Sequence, residues 1–251
     1  MKAVIEIDGN RYDVDLSQPV DLSLPIAEDG PRAFYAPDPD MSPVRSGGFI
    51  GSTRAGGAVN TFDVRFNPHG NGTHTECQGH ITENWDKITE LDGDTHCLAG
   101  LLSVQPREIN GDQVITKEEI KEKWIDTDGI RALIIRTLPN EVEKKNRKYS
   151  GQNPPYFDAE GIKYIVNEGI EHLLVDLPSV DKEEDEGKLA SHKAFWQLPA
   201  PGGRENCTIT ELIYVPDDVG DGIYFLDIQR SAFLLDCAPS RPVIYQVEKT
   251  R

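Results

Sequence analysis

The first fifteen residues carry a hairpin pattern. Apolar positions at residues 4–7 and 12–16 flank the turn signal Asp8-Gly9-Asn10, and those after the turn alternate with polar positions. Alternation is typical of a strand with one buried face, and Asp-Gly between two such runs favours a tight turn. Residues 17–60 lack periodicity and are rich in Pro, Gly, Ser and Asp, which predicts a long irregular segment.

The middle of the chain alternates between strand and helix patterns. Residues 62–66 and 101–104 predict strands, and Thr116 followed by Glu119 has the order of a capping box, which predicts a helix to about Trp124. The apolar run 132–135 predicts a buried strand. We expect a helix over residues 159–167 and a second buried strand over residues 173–176. Strand, helix and strand in this order predict a parallel βαβ unit.

The last third of the chain contains one more helix pattern and several strand patterns. Leu189, His192, Phe195 and Trp196 share one helical face, so His192 is expected on the inward side. A lone histidine there is more often a core residue than a ligand, and both roles stay open at this point. Strands are predicted over residues 209–215, 223–228 and 243–247. No repeat or boundary divides the chain, so one domain over residues 1–251 is expected.

Charge and cysteine content narrow the class of protein. The formal net charge is −17, from 43 acidic and 26 basic residues, which disfavours a nucleic-acid partner. The basic run from Lys144 to Lys148 is interpreted as a solvated loop. No apolar run is long enough to cross a bilayer, and we expect a cytoplasmic protein without a membrane partner. Its four cysteines form no CxxC pair and are expected to be free thiols; a catalytic role for Cys77 is disfavoured by its neighbour Glu76.

The strongest chemical signal is a cluster of histidines. Three of the six histidines, His69, His74 and His80, lie within twelve residues and are interleaved with Glu76 and glycines. Imidazole and carboxylate groups suit zinc or manganese. In an extended segment His74, Glu76 and His80 point to the same side, and the glycines let neighbouring side chains converge. The pattern predicts a metal site; the alternative is a polar loop with surface histidines.

This stretch resembles the motif His-x-Gly-Thr-His-x-Asp-x-Pro-x-His of the metal-dependent cyclase-like hydrolases, which include bacterial kynurenine formamidase and isatin hydrolase. Gly72-Thr73-His74 and His80 match it in spacing. Residues 175–181 are similar to the family's Asp-x-Pro-Ser-Val-Asp segment, after which a histidine follows, here His192. A third match is Glu205-Asn206, ahead of an apolar strand. The likeness spans roughly residues 15–248.

The resemblance implies a site, a fold and a reaction. It implies His80 as general acid/base and a set of metal ligands made of His69, His74, Glu76, His192 and Glu205. It implies the α/β class with a swivelling β/β/α fold, a mixed sheet, and a homodimer or higher homo-oligomer. One or two zinc or manganese ions per chain would lower the pKa of water towards ~7 and supply hydroxide. The implied reaction is hydrolysis of a small-molecule amide or lactam, either an aryl formamide or a small cyclic amide.

The chain departs from the family pattern inside the motif. Asn71 is an extra residue, Glu76 stands where the pattern has Asp, and Gln78 stands where it has Pro. The interval between the last two implied ligands is one residue longer than usual. Because metal–ligand distances tolerate only ~0.2 Å, the number of metals stays open. Two other functions also stay open: a metal-dependent cyclase or dehydratase, and a metal-binding protein without turnover.

Overall fold

The structure is a computed structural model that describes residues 1–93, 95–125, 128–199 and 204–250. Within these ranges the helices are α1 (Lys117–Lys123), α2 (Ala159–Asn167) and α3 (Ala190–Trp196). The strands, in chain order, are β1 (Lys2–Ile7), β2 (Asn10–Asp15), β3 (Val20–Asp21), β4 (Asp40–Pro43), β5 (Arg45–Ser46), β6 (Phe49–Ile50), β7 (Phe62–Arg65), β8 (His74–Glu76), β9 (His96–Val104), β10 (Arg107–Ile109), β11 (Asp112–Ile115), β12 (Ile130–Thr137), β13 (Tyr156–Phe157), β14 (His172–Val175), β15 (Thr208–Glu211), β16 (Gly222–Arg230) and β17 (Cys237–Thr250).

Seven strands close into a barrel in the order β17-β16-β9-β12-β14-β15-β8. The ring closes because β8 pairs with β15 on one side and with β17 on the other. Strands β9, β12, β14 and β15 are parallel neighbours, and the remaining pairs are antiparallel. The predicted hairpin β1–β2 extends the sheet from β17. The predicted mixed α/β architecture is confirmed, while closure into a barrel has no counterpart in the sequence pattern.

Alternation along the barrel strands divides the apolar side chains into two cores. The inner core fills the barrel with buried side chains that include Leu101, Ile134, Leu174, Leu226 and Ile244. The outer core lies between the barrel and the helices and includes the buried side chains of Leu102, Ile135, Val175, Ile162 and Phe195. The barrel wall therefore has an apolar inner face and an outer face that the helices cover.

The helices begin where the sequence indicates. Thr116 and Glu119 form the predicted capping box at the start of α1. Asp158 caps the start of helix α2, because its side chain accepts a hydrogen bond from the amide of Gly161 at 2.6 Å. Helix α2 connects β12 to β14, which pair in parallel register, so the predicted βαβ unit is confirmed. No helix in the described ranges is long and apolar enough to span a membrane.

Two predictions about secondary structure and exposure were wrong, each for its own structural reason. The strand predicted over residues 209–215 ends at Glu211, because Leu212 has a φ of 55°, which lies outside the strand region. The basic run from Lys144 to Lys148 is not wholly solvated. Lys144 is 4% exposed, and its ammonium group donates hydrogen bonds to Thr137 and Asp176. Tertiary partners distant in sequence bury this lysine, and the local composition gives no sign of them.

Candidate metal centre

The candidate site lies where β8 closes the barrel. Across the two strand pairs, His74 is opposite Glu211 of β15, and Glu76 is opposite Cys237 of β17. Cross-strand partners share one face of a sheet, so these four side chains project to the same side. They lie on the outer face of the barrel wall, whereas the intervening Thr75 points to the other side. The alternation predicted from the motif is thus realised in a three-residue strand.

His74 has one ring nitrogen satisfied and the other without a partner. Its side chain is fully buried, and Nδ1 lies 3.1 Å from the carbonyl oxygen of Gly72. Nε2 has no hydrogen-bond partner in the described part of the chain; Glu211 Oε2, 3.3 Å away, is outside hydrogen-bonding geometry. A histidine whose Nδ1–H is held by a carbonyl presents a lone pair at Nε2, as metal-ligating histidines do. This orphaned nitrogen shows that the site fits a divalent metal.

Glu76 is the carboxylate at the centre of the cluster. Oε1 lies 3.1 Å from His192 Nε2, while Oε2 lies 3.2 Å from His69 Nδ1 and 3.8 Å from His80 Nε2. Burial alone would raise the pKa of this carboxyl group, but the nearby imidazoles of His80, His192 and His69 hold it well below its ordinary value. Glu76 is therefore an ionised, fully buried carboxylate in contact with three imidazole rings.

Asp181 holds His192 in the cluster, because its carboxylate contacts the first turn of α3. Asp181 accepts hydrogen bonds from the backbone amides of Ser191 at 2.7 Å and His192 at 3.1 Å, and its Oδ2 lies 2.6 Å from His192 Nδ1. Burial lowers the pKa of the imidazole, but hydrogen bonds to Asp181 and Glu76 outweigh it and raise the pKa to about 10. A carboxylate on Nδ1 fixes the ring so that Nε2 faces Glu76. His192 is thus both buried and part of the site.

Asp236 forms the outer rim of the cluster. Its Oδ2 lies 2.8 Å from His69 Nε2 and 3.4 Å from His80 Nδ1, and its Oδ1 accepts a hydrogen bond from Trp85 Nε1 at 3.1 Å. Burial would raise the pKa of Asp236, but the hydrogen bonds from His69 and His80 lower it strongly. The side chain of His80 is 32% exposed, more than that of His69 at 22%. His80 consequently stands at the open side of the site.

The structure brings together most of the residues predicted for the site. Among the described residues, four overlapping triads have ligand atoms within 4.8 Å of one another, and together they contain the predicted residues His69, His74, Glu76, His80 and His192. The triads also contain three residues that the sequence analysis missed, namely Glu211, Asp236 and Cys237. The donors are imidazoles, carboxylates and one thiol, which suit zinc, or manganese where the carboxylates dominate.

Glu205 is the one predicted ligand that does not belong to these triads of the described residues. It is exposed in a turn that the amide of Cys207 closes by donating to the carbonyl of Arg204 at 2.9 Å. Because Glu205 precedes β15, its side chain does not follow the alternation of that strand. Glu211, at the end of β15, is 2% exposed, faces His74 and accepts a hydrogen bond from the amide of Val180 at 3.1 Å. An acidic residue closing a buried strand was the one available signal for Glu211.

The two cysteines nearest the cluster are protonated thiols. Burial raises the pKa of Cys77 to about 11, and its thiol donates to the carbonyl of Asp86 at 3.2 Å. Burial also raises the pKa of Cys237 to about 12, although the hydrogen bond with His69 opposes that rise. All four cysteines are buried, and none forms a disulfide in the described residues. Neither of the two thiols beside the cluster has the low pKa of a catalytic nucleophile.

The sequence of this chain is similar to those of known proteins. The sequence model of a family described as "Putative cyclase" matches residues 14–182. A kynurenine formamidase of Bacillus cytotoxicus is 26% identical over 189 residues, which cover 75% of this chain and 81% of that protein. A kynurenine formamidase of Bacillus anthracis is 25% identical over 231 residues, which cover 90% of this chain and 96% of that protein.

Solved structures share the fold at lower identity. An isatin hydrolase bound to the product analogue thioisatinate aligns with a TM-score of 0.66 and 14% identity, over 92% of this chain and 93% of that one. A protein described as a potential metal-dependent hydrolase with cyclase activity aligns with a TM-score of 0.66 and 17% identity, over 92% and 98% of the two chains. Together with the family match, these likenesses confirm the resemblance drawn from the histidine motif.

Proposed function

The chain belongs to the Cyclase family, and from that premise we propose that it is a metal-dependent hydrolase that cleaves the C–N bond of an amide or a lactam. Relatives named kynurenine formamidase and a structural neighbour named isatin hydrolase support this reaction class. The observation that carries the proposal is the buried Nε2 atom of His74, which has no hydrogen-bond partner in the described residues and faces an acid-rich cluster.

The proposed ligand set differs from the family pattern at one member. His69, His74, Glu76 and His192 are retained as ligands, and we propose Glu211 in the place expected for Glu205. The metal is zinc or manganese, with one or two ions per chain. When bound, such an ion polarises a substrate carbonyl and lowers the pKa of water.

His80 is proposed to move the proton during the reaction. It stands at the open side of the cluster, with Nε2 3.8 Å from Glu76 and Nδ1 3.4 Å from Asp236. The carboxylate of Asp236 orients the ring, so that Nε2 takes the proton from the attacking water and returns it to the leaving nitrogen. The ionised Glu76 stabilises the positive charge that His80 carries between the two steps.

An aromatic side chain beside the site supports an aryl substrate. Trp85 is 49% exposed, yet its Nε1 donates to Asp236 Oδ1 at 3.1 Å, which fixes one edge of the indole at the rim of the cluster. An exposed ring held in this way offers a face on which a second aromatic ring can stack. We therefore propose an aryl formamide or a small cyclic amide fused to an aromatic ring.

Other features expected from the resemblance remain proposals. The swivelling β/β/α description is supported by the fold shared with the family's solved structures. A reducing, cytoplasmic location is supported by four buried cysteines that form no disulfide in the described residues. We also propose a homodimer or higher homo-oligomer.

A substrate panel with product analysis tests the proposal. The purified protein is assayed with formanilides, isatin and simple lactones, both after chelation and after reloading with zinc or manganese. We expect either a formanilide to be split into the free aniline and formate or a cyclic amide to gain the mass of one water molecule, with turnover lost on chelation and restored by metal. Loss of water from a substrate would instead identify a cyclase or dehydratase. Metal binding without turnover of any compound would identify a binding protein and overturn the proposal.

A further inference from the structure

Cys237 opens β17 directly opposite Glu76 in the β8–β17 pair. Its side chain is fully buried, and its Sγ atom lies within 4.8 Å of a ring nitrogen of His69 and of His74. In a tetrahedral zinc site with bonds of 2.0–2.3 Å, ligand atoms are about 3.4–3.8 Å apart. Side-chain adjustments of about an ångström would therefore bring these three donors onto one ion.

A second, independent observation points to the same space. His74 belongs to this triad, and its buried Nε2 atom has no hydrogen-bond partner in the described residues. His69 closes the triad from the side of Asp236, whose Oδ2 lies 2.8 Å from its Nε2. Two imidazoles and a thiol thus lie together at a place where one buried ring nitrogen has no partner among the described residues. Leaving such a nitrogen without a partner costs free energy unless a cation takes its lone pair.

We propose that Cys237 is a metal ligand beside His69 and His74, so that the site selects a thiophilic divalent ion such as zinc over manganese. The inference rests on the metal site of the proposed function and adds a ligand to it. On binding, the S–H bond breaks, the proton leaves to solvent, and a sulfur lone pair forms the metal–sulfur bond. Thiolate ligands favour zinc over manganese, which prefers oxygen donors.

Cobalt substitution tests this ligand directly, because a thiolate bound to cobalt adds a charge-transfer absorption band in the near ultraviolet. Metal-free protein is titrated with cobalt while the visible and near-ultraviolet spectra are recorded. In the wild-type protein we expect the absorbance in both spectral regions to increase together until a stoichiometric end point is reached. Cys237→Ser should keep the visible bands and lose the near-ultraviolet band.

Cys77→Ser is the matched control. Cys77 is also buried and adjacent to Glu76, but its thiol donates to the carbonyl of Asp86. This variant should retain the near-ultraviolet band, and loss of the band here with retention in Cys237→Ser would overturn the assignment. The wild-type spectrum decides the question even if Cys237→Ser does not fold. Visible bands without the near-ultraviolet band overturn the role of Cys237 and leave the metal site standing, whereas the absence of both overturns the metal site itself.

Discussion

Two clusters of charged side chains are buried in this protein, and they are balanced in different ways. In the lysine cluster, formed by Thr137, Lys144 and Asp176, the ammonium group donates to Asp176 Oδ2 at 2.8 Å and to Thr137 Oγ1 at 2.9 Å. Asp176 also accepts from the amide of Thr137 at 2.9 Å. The chain itself supplies the cation and its hydrogen-bond partners, so this cluster is complete without any ligand.

The metal-centre cluster, formed by His69, His74, Glu76, His192 and Glu211, is not complete in this sense. Glu76 contacts imidazole rings alone, and Glu211 lies 3.3 Å from His74 Nε2, a nitrogen that has no hydrogen-bond partner in the described residues. No lysine or arginine contact to either carboxylate is found in the described ranges. The difference teaches that a buried charge balanced within the chain serves stability, whereas one left to an external cation serves function.

Breaking the lysine cluster should have the largest effect on stability. Lys144→Met leaves Asp176 buried without its cation, and removing one partner of a buried pair typically costs about 3–5 kcal/mol. We expect the free energy of unfolding, measured by urea titration, to fall by this amount. Lys121→Met, on the exposed surface of α1, is the control and should stay within about 0.5 kcal/mol of wild type.

Removing both partners sharpens this prediction. The double variant Lys144→Met with Asp176→Leu should recover much of the lost stability, because neither charge then remains buried alone. A Lys144→Met variant as stable as the wild type would show that the lysine cluster does not balance a buried charge.

His80→Ala should abolish turnover while leaving the metal in place. His80 stands at the open side of the cluster, and general acid–base catalysis is typically worth about 10²–10⁴-fold. We expect kcat to fall by this factor on any substrate that the panel identifies, with metal content unchanged by elemental analysis. Near-normal turnover, or a variant that arrives without metal, would show that His80 has a different role.

A third kind of buried group is a histidine, His172, that hydrogen-bonds to a hydroxyl group. His172 Nδ1 lies 2.9 Å from Thr208 Oγ1, and burial lowers the pKa of this imidazole to about 4. Since the unfolded chain has a histidine pKa near ~6.5, it binds more protons than the native state between these values. The stability from neutral His172 is therefore complete above about pH 6.5 and is lost as the pH falls towards about 4.

The size of this loss is up to roughly 3 kcal/mol. We expect the difference in unfolding free energy between wild type and His172→Gln to shrink by about this amount as the pH falls from 7 to 4.5. A difference that does not change with pH would mean that His172 does not titrate on unfolding.

Glu76→Asp should weaken metal binding by about 10–100-fold, the smallest of these effects. The extra residue Asn71 is 1% exposed, and its side chain accepts from the amide of Asn67 at 2.8 Å, which fixes the lengthened loop before His74. The longer side chain of Glu76 is proposed to match this loop. The dissociation constant is measured by competition with a chelator, with Glu90→Asp as an exposed control. Unchanged affinity in Glu76→Asp would make Glu76 a bystander.

Local sequence signals predicted the parts of the molecule that depend on neighbours in the chain. The capping box at Thr116, the face of α2 and the i, i+2 spacing of His74 and Glu76 all follow from short-range geometry. Glu211 was missed because its place opposite His74 depends on a β8–β15 pair that joins strands far apart in sequence.

The same reason explains the other missed residues. Asp236 and Cys237 reach the cluster through the β8–β17 pair that closes the barrel. Lys144 is buried by contacts with Thr137 at the end of β12 and with Asp176, which follows β14. Barrel closure has no periodic signal of its own, because a strand has the same alternation of apolar and polar residues in an open sheet as in a closed one. The sequence therefore brought attention to the residues at the centre of the candidate site, and it contained no signal for Asp236 and Cys237 at its edge.

The metal content of the purified protein tests the central claim most directly. Elemental analysis of the wild type should find at least one zinc or manganese per chain, and His74→Ala should lose most of it, because this substitution removes a buried ring nitrogen of the cluster that has no hydrogen-bond partner in the described residues. His96→Ala, which changes an exposed histidine 3.3 Å from Asp227 and outside the cluster, should keep full occupancy. Full metal occupancy in His74→Ala would contradict the account.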